Sequence, residues 1–180
     1  MDEKKDFQSL ARFVFEVGAL KNTPRSGWLK VGIKNPESVA EHTMRVSLIA
    51  FLISFLETGD LDRSSKAVVL SVFHDLAETR TTDLHRLSRR YVRVDKEKAV
   101  AEQMELLPAS IVSSIQKMKS EVDRFVKDAD KLELLFQAIE YSRVCPDALE
   151  YIKNLNFETQ TAKKIAEAAR KLKPWWVYFE

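Results

Sequence analysis

The stretch Val72-Phe73-His74-Asp75-Leu76-Ala77-Glu78 follows Ala67-Val68-Val69-Leu70 and sets a polar triplet into an otherwise apolar segment. Apolar groups cover most of the helix circumference that this pattern predicts, and such a helix is buried. Buried imidazole and carboxylate must be hydrogen-bonded, paired or bound to a metal, because a stranded interior charge costs several kcal/mol or more. His74 and Asp75 lie about 100° apart around a helix axis. Glu78 is i+4 from His74 and i+3 from Asp75, which predicts it one turn along the same face. Two of the three can ligate an ion while the third handles a proton. A polar network closing a helix contact satisfies one His-Asp pair equally well, so the metal reading needs ligands from elsewhere in the chain.

Composition points outward from this helix to an all-α domain. Four glycines and five prolines in 180 residues, long segments of helical period and few alternating β-branched runs leave no strand to predict. A chain that is 45% hydrophobic and free of low-complexity tracts reads as one globular domain over residues 1–180, with six to eight helices. The net charge of +2 gives no argument for nucleic acid. Cys145 is the only cysteine, which excludes an internal disulfide or a cysteine-rich zinc site and fits a reducing cytoplasm. Residues 1–6 lack the apolar core of a signal peptide, and the uncharged run Val46 to Leu56 is too short to span a bilayer. The expectation is a cytoplasmic protein with no membrane association.

In chain order, an amphipathic helix is predicted from Phe7 to about Gly18, with Phe7, Leu10, Ala11, Val14, Phe15 and Val17 on its stripe. A loop over 21–37 holds Arg25, whose planar fork suits a phosphate, and Trp28, which suits a pocket wall. Ser38 and Glu41 form a capping box, so a helix starts there and runs to about Glu57. His42 falls on its apolar stripe between Val39 and Val46. Asp62 or Ser64 is expected to cap the helix that carries His74. The polar segment from Thr79 to Arg86 should line the mouth of any site, with Asp83 and the threonines as candidate substrate contacts and His85 exposed. The charged helix from Asp95 to Leu107 reads as a solvated face. A short helix is expected from Pro108 to about Met118, then a longer one from about Glu121 to Val144. On the latter, Asp130 faces the core edge with Glu133 nearby, and Asp128 points elsewhere. A last helix covers 157–172. The aromatic tail after it, residues 174–180, is expected to pack on the domain or at a homodimer interface.

His42, His74-Asp75 and Asp130 stand in the order H…HD…D on three helices. In this, and in Pro24-Arg25-Ser26-Gly27-Trp28, Pro36-Glu37-Ser38-Val39-Ala40-Glu41-His42, Phe73 to Glu78, Asp83-Leu84 and Asp130-Lys131-Leu132-Glu133, the chain resembles the HD-domain phosphohydrolases. Within them it is similar to the 5'-deoxynucleotidase branch. The resemblance implies that His42, His74, Asp75 and Asp130 bind one divalent ion, and that Glu78 is the acid/base residue beside a metal-bound water. It implies that Arg25 and Asp83 contact the phosphate and sugar of a nucleotide, that Trp28 flanks it, and that the chain forms a homodimer. The donor set, two imidazoles and two carboxylates without thiolate, leaves open positions and suits Mn, Co, Zn, Ni, Fe or Mg. Leu87 to Val94 has no role in that resemblance.

The implied reaction is conversion of a deoxyribonucleoside 5'-monophosphate to a nucleoside and phosphate. Competing readings are an HD enzyme acting on a triphosphate, a cyclic phosphodiester or a guanosine polyphosphate, and a non-catalytic nucleotide- or metal-binding sensor. A triphosphate pocket calls for several convergent cations, for which the sequence offers Arg25, Arg80 and Arg86.

Overall fold

A computed structural model describes residues 7–174 and is all-α, with eight α-helices and no β-strand among those residues beyond an isolated Pro24–Ser38 bridge. Three helices make the core. Helix α3 (Val39–Thr58) packs against α4 (Leu61–Phe73), and both pack against α7 (Ala109–Tyr141). Val46, Ile49 and Ile53 of α3 meet Leu70 of α4 and Val122, Phe125 and Leu132 of α7 in one apolar cluster. Phe125 has no exposed surface, and truncating such a residue costs about 3–5 kcal/mol. Helix α8 (Gln160–Ala169) closes the cluster with Ala162, Ala166 and Ala169, whose small side chains let it approach α7 and α3 closely.

The ends of α3 follow from its residues. Ser38 Oγ accepts from the Glu41 backbone N–H, and Glu41 Oε2 accepts from that of Ser38 (2.7 Å), completing the capping box. Gly59 stops the helix at φ +66°, where a side chain would be strained. Helix α3 has the length and apolar character to cross a bilayer, which its uncharged run alone understated. Its buried half is the centre of the core instead.

Several boundaries differ from the expectations. The predicted break after Met118 is absent: no glycine or proline lies between Ala109 and Tyr141, so α7 runs uninterrupted for 33 residues, about 50 Å. The loop over 21–37 contains the short helix α2 (Ser26–Lys30). Asp60, rather than Asp62 or Ser64, caps α4 by accepting from the Arg63 N–H. On α1 (Phe7–Gly18), Phe13 and Val17 face the protein, stacking on Phe73 and packing by Leu20, while Phe7, Val14 and Phe15 are exposed. The tail over 175–180, with its expected packing, lies outside the described residues.

Asp128, expected to point away from the core, is fully buried. Its carboxylate accepts from the Glu158 and Thr159 backbone N–H groups (3.0 and 2.7 Å) and from Thr159 Oγ1 (2.8 Å). Thr159 in turn caps α8, so Asp128 pins the start of that helix to α7. Asp128→Ala strands those donors and is expected to lower the unfolding free energy by about 3 kcal/mol. Chemical denaturation measures it, and a loss below about 1 kcal/mol would refute the clamp.

Candidate metal and phosphate site

The polar triplet is not on a continuous helix. Helix α4 ends at Phe73, His74 is its C-cap, and α5 (Glu78–Thr81) begins after a turn. The cause is local. The His74 imidazole bonds the Ser71 carbonyl through Nδ1 (2.5 Å), and the His74 backbone N–H reaches the same oxygen (3.4 Å). That carbonyl is the i−4 acceptor that Asp75 would need to extend the helix. The chain turns instead, and the Glu78 N–H finds the Asp75 carbonyl (3.0 Å). Gln103 of α6 (Lys96–Met104), fully buried, braces the turn by donating to Leu76 O (3.0 Å).

Three of the four candidate ligands, His42, His74 and Asp130, bring their ligand atoms within 4.8 Å of one another, and Asp75 lies beside the two histidines. His42 Nε2 lies 3.2 Å from Asp130 Oδ1 and 3.7 Å from Asp75 Oδ2, and His74 Nε2 lies 3.2 Å from the same Asp75 oxygen. The two rings are 5.6 Å apart. Each Nδ1 faces an oxygen, Glu133 Oε2 for His42 (2.5 Å) and Ser71 O for His74. Both Nε2 atoms are buried and make no hydrogen bond of proper geometry. Two buried imidazole nitrogens and the Asp130 carboxylate close to one another, each ring oriented from behind, fit one divalent ion, with Asp75 beside the two rings.

Electrostatics follow from this crowding. Burial opposes charge on His42, but the carboxylates of Asp130 and Glu133 at its two nitrogens outweigh it and raise the imidazole to about 9 when no ion is bound. The protonated ring adds stability that is complete below its unfolded value near 6.5 and is lost as pH rises through about 9. A ligating imidazole is neutral, so ion binding at neutral pH releases this proton. Burial also opposes charge on Asp75, yet His74, then Arg25 and His42, hold it well below the ordinary carboxylate range.

Glu133 and Arg45 were not assigned from sequence. Glu133 is fully buried on α7 and joins the His42 ring to Arg45, whose Nε and second guanidinium nitrogen donate to Glu133 Oε1 (2.9 and 2.7 Å). Their signal was spacing: Glu133 is i+3 from Asp130, and Arg45 is i+3 from His42. Lys96, read as part of a solvated face, had no such signal. Its Nζ donates to Glu78 Oε1 (3.1 Å), and Glu78 Oε2 is buried without a partner. Burial, then Asp75 and Asp83, push Glu78 up to about 7 against the pull of Lys96.

A cavity of about 1070 Å³ opens on these groups, lined by Arg25, Asp75, Glu78, Asp83 and Asp130. Arg25 is tied to the start of α3 by its backbone N–H to Glu37 O (3.0 Å), and its guanidinium lies 3.8 Å from Asp75. Asp83 accepts from the Ser26 N–H (2.8 Å) at the start of α2, so one of its oxygens is committed. Thr82 before it sits at φ +58° and ψ 165°, a region essentially reserved for glycine, which costs about 1–3 kcal/mol. Trp28 reaches the cavity only as its floor. The ring is 2% exposed, edge-on to Tyr141 and Tyr151, with Nε1 donating to Glu37 (3.1 Å). The threonines do not face it: Thr79 and Thr81 bond the carbonyls of Leu76 and Ala77. His85 is half-buried rather than exposed, with Nδ1 accepting from the backbone of Leu87 (3.2 Å) and Nε2 bonded to Ser88 Oγ (2.8 Å).

A helical domain that brings His, His-Asp and Asp from three elements onto one point defines a class, and the chain belongs to it: the HD domain family, whose sequence pattern matches residues 17–173. It is 31% identical to the 5'-deoxynucleotidase HDDC2 of Xenopus laevis over 147 residues, which are 76% of this chain and 71% of that protein. A structural-genomics crystal structure superposes with a TM-score of 0.84 at 43% identity, covering 94% of this chain and 99% of that one. A protein from Archaeoglobus fulgidus is 38% identical with a TM-score of 0.69 over the same shares.

Glu133→Gln keeps the size of the side chain but weakens its hold on the His42 Nδ1–H. Metal affinity, measured by chelator competition, is expected to fall about 10- to 100-fold while the helical circular dichroism is retained. Unchanged affinity would show that Glu133 only fills the core.

Proposed function

We propose that this chain is a metal-dependent 5'-deoxynucleotidase, releasing phosphate from deoxyribonucleoside 5'-monophosphates. The observation that carries the reading is the pair of unpartnered buried Nε2 atoms facing Asp75 and Asp130, next to a buried glutamate with one free oxygen. Deoxynucleotidases named HDDC2 from animals share about the same segment of the chain.

His42, His74, Asp75 and Asp130 would hold the ion. When bound, a divalent ion supplies Lewis-acid polarisation of the phosphoryl group and acidifies a water molecule. Arg25, positioned beside Asp75, binds phosphate oxygens through its fork and orients phosphorus. A new water–phosphorus bond forms and the bond to the 5'-oxygen breaks, so that oxygen must gain a proton. Glu78 is matched to this transfer: raised to about 7, it holds or gives up a proton near neutral pH at Oε2, while Lys96 fixes Oε1. Asp83 contributes its uncommitted oxygen toward the sugar, and Trp28 and Tyr151 supply the apolar floor.

The test is phosphate release from matched deoxyribo- and ribonucleoside 5'-monophosphates, on metal-stripped protein resupplied with one ion at a time. Release from the deoxy series that needs an added ion is the expected outcome, and silence across the panel would sink the reading. Glu78→Gln is expected to retain ion binding and lose about 10²- to 10⁴-fold in kcat; wild-type turnover in that variant would remove Glu78 from the mechanism.

The chain also pairs with a second copy in this reading. What supports it is the outward face of α3, where Met44, Leu48, Leu52 and Leu56 recur every four residues and are exposed, beside the stacked Phe51 and Phe55 rings. Leu48→Glu with Leu52→Glu is expected to halve the mass seen by light scattering. A wild-type chain that sediments as a monomer would refute the pairing.

A further inference from the structure

The segment from Leu84 to Val94 carries Arg86, Arg89, Arg90 and Arg93 and no carboxylate. Its part from Leu87 onward has no role in the family resemblance, and Leu84, His85, Arg86 and Arg89 line the cavity. Arg86 and Arg89 line the same cavity as Arg25, Glu78 and Asp83, and Lys96 stands where α6 begins. Arg80, which the sequence offered beside Arg25 and Arg86, is turned away and ion-paired to Glu16 and Glu102.

The four cavity cations divide by what they already hold. Arg25 lies beside Asp75 and Lys96 is bonded to Glu78, so both serve the carboxylates of the reaction centre. Arg86 and Arg89 pair with no carboxylate among the described residues. Arg89 spends only its Nε, on the Leu84 carbonyl (2.7 Å), which leaves the rest of its fork uncommitted. The segment that bears them is held in place from inside. Ser26 Oγ donates to Asp83 O (2.5 Å) and accepts from the His85 N–H (3.1 Å), and the His85 ring bonds Ser88 Oγ. Two arginines on a braced loop, facing a cavity and lacking anionic partners, form a site for an anion. The cavity, at about 1070 Å³, is at the upper end of the range for small-molecule sites, so one phosphate at Arg25 does not exhaust it.

Resting on the nucleotidase reading above, we propose that Arg86 and Arg89 bind a second phosphoryl group of the substrate, so that the preferred ligand is a doubly phosphorylated deoxynucleoside. That group is carried either on the sugar, as in a 3',5'-bisphosphate, or as an extension of the 5'-phosphate, as in a 5'-diphosphate. The chemistry at the arginines is the same for both, and the reaction centre serves whichever phosphate faces Glu78 and Arg25.

Three ligands separate the cases: 2'-deoxyadenosine 5'-monophosphate, its 3',5'-bisphosphate and its 5'-diphosphate. Calorimetric dissociation constants are taken on the metal-stripped full chain, where nothing turns over, and KM values on the metal-loaded enzyme. One doubly phosphorylated ligand is expected to bind about tenfold or more tightly than the monophosphate, and which one does so places the second phosphate. Arg86→Gln with Arg89→Gln, both at exposed positions, should erase the advantage, and Arg86→Lys with Arg89→Lys should restore part of it. Equal or weaker binding of both doubly phosphorylated ligands, or an advantage that survives the double glutamine variant, overturns the proposal. Absence of phosphate release from the monophosphate with every ion would count against the nucleotidase reading instead, and the calorimetric comparison would still decide the subsite.

Discussion

The His42 imidazole has no exposed surface, so both of its nitrogens must be satisfied inside the protein. That constraint organises the rest. One nitrogen is met by Glu133, and a buried carboxylate needs a cation of its own, which Arg45 provides from one turn along α3. The other faces Asp130 and Asp75 across the gap where α3, α4 and α7 converge. The chain Arg45–Glu133–His42 therefore ties α3 to α7 at the depth of the site. The same atoms that would orient a metal ligand also bind the two longest helices together, so chemistry and packing are not separable at this point.

Carboxylates crowd the site well beyond the candidate ligands. Glu37 lies close enough to His42 and Glu133 to have been a second cluster of potential ligands, yet burial, then the charge on Glu133, push it up to about 7, and it accepts from the Trp28 indole. Glu78 is raised to a similar value on the other side. Asp75 and Asp130, by contrast, are held low although burial opposes their charge, Asp75 chiefly by His74 and Asp130 by His42. One cavity thus keeps some acids ionised for cations and others poised to carry a proton, a separation set by neighbours rather than by residue type.

Much of this was legible in the residues. The capping box at Ser38 fixed the start of α3, and helical period then placed His42 on the buried stripe. Period also placed Asp130 and the apolar face of α7 from Val122 onward. What period does not carry is competition for a backbone acceptor. Nothing in the pattern of Val72 to Glu78 distinguishes a helix from a helix broken by a histidine side chain, because the break depends on where one ring nitrogen points. Long-range partners were hidden for a related reason. Lys96 meets Glu78, and Asp128 meets Thr159, only after the core has formed. The strip from Leu87 to Val94 was unreadable because arginines without nearby acids look the same on a solvated face and on a cavity wall.

The interrupted helix has a consequence for how this protein can be improved. At the Ser71 carbonyl the imidazole of His74 takes the place of a main-chain partner, so regular helical order is surrendered where the HD pair must turn inward. Replacing His74 with a strong helix former would free the Ser71 carbonyl for the Asp75 N–H, and would also take from the Asp75 carboxylate the neighbour that chiefly holds it ionised. The backbone and the buried charge at this turn pull in opposite directions, so an engineer who changes His74 has to change Asp75 with it, and has to screen for turnover as well as for melting temperature.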